Sequence, residues 1–181
     1  MTAATRPDRA RWILFLALAA TVLIVDQLTK SLLISLLPAE GQSMAVVGDL
    51  VRLVHSRNSG ALFGLFQDQA LLFGVVSVGV VGLIVWYHAS SGRNTLLTVA
   101  LGLLLGGALG NMVDRLRLGY VLDFVDAGIG DLRFYTFNAA DAAISCAILL
   151  LLLNAVLPGR FVLDKEAAPE PTGDPAGPVD A

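Results

Sequence analysis

Four aspartates fall within the 21 residues Val121–Asp141, VLDFVDAGIGDLRFYTFNAAD, and an uncharged run, AAISCAILLLLLNAVL, follows at once. Two of the four, Asp123 and Asp141, sit where carboxylates are expensive: one among Leu122, Phe124 and Val125, the other in the first turn of an apolar segment. Two carboxylates brought together near an apolar surface cannot both ionise cheaply. Desolvation and mutual repulsion raise one pKa, and the pair shares a proton. The ionised member can then take a proton from water while the protonated member donates one to a carbonyl, which suffices for amide hydrolysis. Each aspartate also has a plainer reading. Asp141 can be a helix N-terminal acid favoured by the dipole, and Asp123 a loop carboxylate paired with Arg115 or Arg133.

Other nucleophiles and metals compete poorly. The chain has one cysteine, Cys146, deep in the apolar run, where a thiolate would be costly. With two histidines, His55 and His88, and one cysteine, no metal cluster or intramolecular disulfide is expected, and neither is a cofactor. Further ionisable and amide residues lie within or beside apolar segments. Asp26 and Lys30 are four apart and share a helix face. They read either as an interfacial ion pair with Lys30 snorkelling or as an anchor for outer loops or substrate. Asn58 and Gly60 suit a tight turn or a peptide-binding lip. Gly102, Gly106 and Gly110 recur every four residues, with Gly107 beside them, a pattern that lets helices touch backbone to backbone. That packing carries Asn111, Asp114 and Arg115 towards neighbouring elements, with Asp114 and Arg115 expected at the hydrated outer membrane surface.

The elements that must hold these residues are membrane spans. The 181 residues are 56% hydrophobic and 15% charged, where a soluble domain is about a quarter charged. At roughly 20 residues per crossing, the length accommodates about four spans. The net charge of −3 gives no electrostatic case for nucleic acid. The apolar run Trp12–Val25, with Ala17, Ala19 and Ala20, could be a signal-peptide core. The pattern resumes after Asp26, however, and a helix over 12–36 would reach about 37 Å. Further spans are expected near Ala70–Tyr87, Thr95–Val113 and Phe137–Leu157. Trp86 and Tyr87 mark an interface. The Val-rich segment MAVVGDLVRLVHSRNSGALFG between the first two spans suggests short strands. The tail, rich in Pro, Ala and acid, reads as disordered.

Four spans place both termini on one side. Arg6, Arg9, Arg11, Arg93, Arg160 and Lys165 would face the cytoplasm, against Arg52, Arg57, Arg115, Arg117 and Arg133 outside, so the orientation rests mostly on the first helix. Carboxylates gathered at one surface speak against the rival reading, a small transporter or proton-coupled channel.

Five segments in order resemble the lipoprotein signal peptidases of bacteria (signal peptidase II). They are Asp26-Gln27-Leu28-Thr29-Lys30, Asn58-Ser59-Gly60-Ala61-Leu62-Phe63-Gly64, Gly106 to Arg115 (GGALGNMVDR), Gly119-Tyr120-Val121-Leu122-Asp123-Phe124, and Phe137-Asn138-Ala139-Ala140-Asp141. The resemblance implies an all-α membrane protein with four transmembrane helices and a small extracytoplasmic β-rich cradle. Residues 1–11 would be a cytoplasmic N-terminus, 12–157 the peptidase domain and 158–181 a disordered cytoplasmic tail. It implies an aspartic endopeptidase of the bacterial cytoplasmic (inner) membrane, sensitive to globomycin. Its partners would be diacylglyceryl-modified prolipoproteins, cut just before the lipidated cysteine, and membrane lipids; a monomer suffices. The catalytic pair falls on Asp123 and Asp141. Asp26, Asn58, Gly60, Asn111, Arg115 and Asn138 would line the site, with Lys30 and Asp114 supporting it. Leu62 and Tyr135 stand where many members have alanine and proline.

Overall fold

The computed structural model describes residues 9–59 and 70–157, with side chains from Gly74 onward in the second segment. The order is α1 (Arg9–Leu36), β1 (Ser43–Val47), β2 (Val51–Asn58), α2 (Ala70–Ser90), α3 (Thr95–Leu118), β3 (Val121–Ile129), β4 (Leu132–Arg133) and α4 (Ala139–Val156). Helices α1, α3 and α4 are each long and apolar enough to cross a membrane, and α2 adds a shorter apolar stretch, Gly74–Ser90. The chain is therefore a largely helical membrane protein carrying a small sheet, and not purely α-helical.

Helix α3 is central, packing against α1, α2 and α4. Its glycines explain how. A Cβ at Gly106 would lie 2.7 Å from the Ala19 carbonyl oxygen on α1, and one at Gly107 would lie 2.6 Å from the Ala140 carbonyl oxygen on α4. The four-residue stripe therefore serves α1, and its neighbour Gly107 opens a second face for α4. Phe15, Ala19, Ile84, Leu97, Leu101 and Leu105 form the apolar core between α1, α2 and α3.

Helix α3 runs five residues beyond the expected Val113. It stops at Gly119, whose φ of 80° is the left-handed conformation that glycine adopts without strain. That turn delivers the chain into β3. The four strands form one antiparallel sheet in the order β1-β2-β3-β4. The strands expected between the first two spans are present, and two more follow α3. Leu122 and Phe124 on β3 pack with Leu33 and Leu37 at the end of α1, seating the sheet on the bundle. Arg133 joins the hairpin tips: Nε contacts both Asp126 carboxylate oxygens, at 2.7 and 2.8 Å, and Nη1 donates to the Asp49 carbonyl at 3.0 Å.

Candidate active site

Asp123 lies on β3 and not in a loop. Side chains alternate along a strand, so Leu122 and Phe124 pointing to the α1 end leave Asp123 on the opposite face. There it pairs in register with Ser56, while Asn58 pairs with Val121. Asn58 is thus a diagonal neighbour of Asp123, and its Nδ2 donates to Asp123 Oδ2 at 3.1 Å. Gly60 lies outside the described residues.

Asp141 is the third residue of α4. Asn138 is the N-cap: its Oδ1 accepts from the Asp141 N–H at 2.9 Å, and its own N–H donates to Asp141 Oδ2 at 3.1 Å. This reciprocal cap satisfies two backbone donors, so the helix-start reading of Asp141 holds and fixes its carboxylate in place. The Asn138 Nδ2 donates to Asp123 Oδ1 at 2.7 Å. One buried residue therefore holds both aspartates. Asn111 completes the link from α3, with Nδ2 2.8 Å from Asp141 Oδ1 and Oδ1 3.2 Å from Asn138 Nδ2. Backbone bonds between Phe137 and both Phe124 and Val125 set the approach of the α4 start to β3.

Burial, and then the Asp141 charge, push the Asp123 carboxyl up to about 6 from 3.8, while hydrogen bonds from Asn58 and Asn138 and the Lys30 charge pull the other way. The raised Asp123 carboxyl beside the Asp141 charge supports the pairing that the sequence suggests. Arg115 donates from Nη1 to the Asn111 carbonyl at 3.3 Å, and its charge acts on Asp141, Asp123 and Asp114. Arg133 is committed to Asp126 and Asp49, which removes it as a partner for Asp123.

A second cluster lies beneath. The sequence pattern suggests hydrated surroundings for Asp114 and, as one reading, snorkelling for Lys30; both are buried. Lys30 Nζ is 2.8 Å from Asp26 Oδ2 and 2.8 Å from Asp114 Oδ2, and it also reaches Asn111 Oδ1 at 3.4 Å. The extra helical turns of α3 and the absence of a Cβ at Gly110 cause this. A Cβ at Gly110 would lie 2.6 Å from Asp26 Oδ2. Both carboxylates also accept from backbone. Asp26 Oδ1 accepts from the Ala140 N–H at 3.0 Å, and Asp114 Oδ2 from the Leu122 N–H at 3.1 Å. Each is the residue immediately before one of the two aspartates above.

Sequence reasoning missed Gln27. Its Nε2 donates to Asp114 Oδ1 at 3.0 Å and Asp26 Oδ2 at 3.2 Å, closing the lower cluster. The signal was available: an amide next to Asp26 in an otherwise apolar helix needs a partner. Among the described residues no group of three His, Cys, Asp or Glu side chains has the arrangement to hold a metal ion.

Known proteins resemble this chain along most of its length. The family described as Signal peptidase (SPase) II matches residues 18–157. A lipoprotein signal peptidase of Shouchella clausii is 40% identical over 143 residues, covering 78% of this chain and 92% of its own. One from Leifsonia xyli is 38% identical over 183 residues, covering 96% and 82%. A solved structure described as a bacterial membrane enzyme matches with a TM-score of 0.72 at 29% identity, over 78% of this chain and 87% of that one.

Proposed function

The chain belongs to the signal peptidase II family, and from that premise we propose that it removes signal peptides from diacylglyceryl-modified prolipoproteins, cutting just before the lipidated cysteine. The observation that carries the reading is the meeting of Asp123 and Asp141 around Asn138. Asp123, whose carboxyl is raised by burial and by the Asp141 charge, supplies the acid. Asp141, held by Asn111 and by the start of α4, acts as the base. Water attacks the scissile carbonyl carbon, giving its proton to the ionised carboxylate, while the protonated one donates to the carbonyl oxygen. On collapse the C–N bond breaks, the nitrogen takes up the proton held by the base, and one hydroxyl of the tetrahedral intermediate returns its proton to Asp123, which restores the starting pair. A peptide bond beside a membrane-held diacylglyceryl group cannot travel far from the bilayer, so the acid, base and water must be brought to its depth. Asn58 and Arg115 stand at the rim of this pair as substrate-binding candidates, with Gly60 a further one from sequence.

The arrangement supports a multi-pass reading in which α2 is the fourth crossing. Residues 12–157 would then form the catalytic unit, with 1–11 and 158–181 on the cytoplasmic side. The dyad would open on the extracytoplasmic side of the bacterial inner membrane, and one chain suffices for it. The described carboxylates, Asp26, Glu40, Asp49, Asp114, Asp123, Asp126, Asp131 and Asp141, all gather at the sheet end of the bundle. A proton or solute path would need polar groups spread across it.

The test is cleavage of a diacylglyceryl-modified prolipoprotein by the purified chain in detergent with lipid. We expect Asp123→Asn and Asp141→Asn each to lose activity by about 10²–10⁴-fold while remaining folded. Normal cleavage by either variant would remove that residue from the chemistry.

A further inference from the structure

At the end of the bundle away from the aspartates, the start of α1, the loop before α3 and the first turn of α3 enclose a cavity of about 280 Å³. Arg11 and Arg93 line it, together with Ala10, Leu14 and Thr95. Arg11 is tied down on one side, with Nη1 donating to the Gly92 carbonyl at 2.7 Å and to the Ser91 carbonyl. Its Nε–H is buried and has no acceptor among the described residues. A buried donor left unmet is costly, and the shortfall points to a missing acceptor.

The first turn of α3 adds to the demand. Asn94 satisfies Leu97 and Thr98 through its side-chain and backbone oxygens. The N–H groups of Thr95 and Leu96 stand in the turn where no intrahelical carbonyl exists, at the positive end of the helix dipole. Among the described residues the charge around them has one sign. Segments 9–14, 86–98 and 150–157 hold Arg9, Arg11 and Arg93 and no Asp or Glu; the nearest acid in sequence is Asp8, before the described residues. Beside the cavity, a more open groove runs along α1 past Arg9, Trp12, Ile13 and Leu16, with Ile13 and Leu16 exposed on the apolar surface of the bundle.

We propose that this cavity binds the phosphate group of an anionic phospholipid, with the acyl chains lying along the neighbouring apolar face of α1. The volume is below the range of roughly 300–1,000 Å³ that encloses a drug-sized ligand, so it suits a headgroup and not a whole lipid. Basic pockets between membrane helices recognise headgroups in this way. Three arginines disfavour a headgroup carrying its own cation, so phosphatidylcholine, although it has the same phosphate, should bind less well than phosphatidylglycerol.

The delipidated full chain in detergent provides the test, through thermal unfolding titrated separately with phosphatidylglycerol, phosphatidylcholine and inorganic phosphate. Half-maximal stabilisation should need on the order of tenfold less phosphatidylglycerol than phosphatidylcholine. Arg11→Gln should abolish that preference. It also removes the tie to Ser91 and Gly92, so Ala10→Trp, which fills the cavity from an exposed lining position, is the cleaner control. It should abolish the preference while leaving prolipoprotein cleavage unchanged. Protection by inorganic phosphate that competes with phosphatidylglycerol would support the same anion site with a free source of phosphate. Equal stabilisation by the two lipids, or a wild-type preference in Ala10→Trp, overturns the proposal.

Discussion

The molecule contains two pairs of carboxylates joined through Asn111, and they are built in opposite ways. Asp26 and Asp114 share Lys30 at 2.8 Å each, so the pair carries its counter-charge within it. Asp123 and Asp141 are held by the amides of Asn58, Asn111 and Asn138, and the Asp123 carboxyl is driven up by burial and by its partner's charge. The same side chain is a fastener in one setting and, in the role proposed above, an acid in the other. A buried ammonium satisfies two carboxylates at once and ties two helices together. Neutral donors orient a carboxylate and leave its proton free to move.

The largest effect that separates the two pairs should come from Lys30→Ala. It leaves Asp26 and Asp114 facing each other without a cation, and removing one member of a buried ionic cluster costs about 3–5 kcal/mol. Thermal unfolding in detergent should show that loss. A drop in activity with unchanged stability would instead make the lower cluster part of the chemistry. Gly110→Ala should follow at about 1–3 kcal/mol, because the added methyl meets Asp26 Oδ2. An unchanged melting temperature would mean that the helices part there without penalty.

The smaller effects sharpen the upper pair. The Asp123 carboxyl is raised to about 6 from 3.8, so the native state holds this proton more tightly than the unfolded chain does. Its contribution to stability is full below about pH 4, falls as pH rises, and is gone above about pH 6. Asp123→Asn should flatten that part of the stability profile. Asn58→Ala removes a hydrogen bond that lowers the same pKa. The descending limb of kcat/KM, which reports the proton shared by the pair, should therefore move to higher pH. A limb that stays in place would mean that Asn58 acts on substrate and not on Asp123.

The apolar runs made the helices legible, because some 20 apolar residues admit few other fates. Asp123, Asp141, Asn138 and the α3 glycines were legible as residues of consequence for the same reason: polar or missing side chains in an oily chain need an explanation. Depth was less so. Whether Asp114 is hydrated or buried depends on where α3 ends, and that was set by Gly119 and by a partner 84 positions earlier, Lys30. A helix pattern carries no record of such a partner. The strand under Asp123 was hidden similarly, since β3 is buried along most of its length and shows no polar alternation. The clamp of Arg133 on Asp126 and Asp49 joins two hairpins that only the sheet order brings together.

The anchoring of Leu122 and Ala140 by Asp114 and Asp26 has a mechanical consequence. Asp123 and Asp141 are each gripped twice, by their own amide partners and through the backbone of the residue before them. Both backbone grips lead to a single ammonium nitrogen. When α1 and α3 tilt or slide in the bilayer, the two segments are carried along by the same post, and their separation changes less than the distance between the helices.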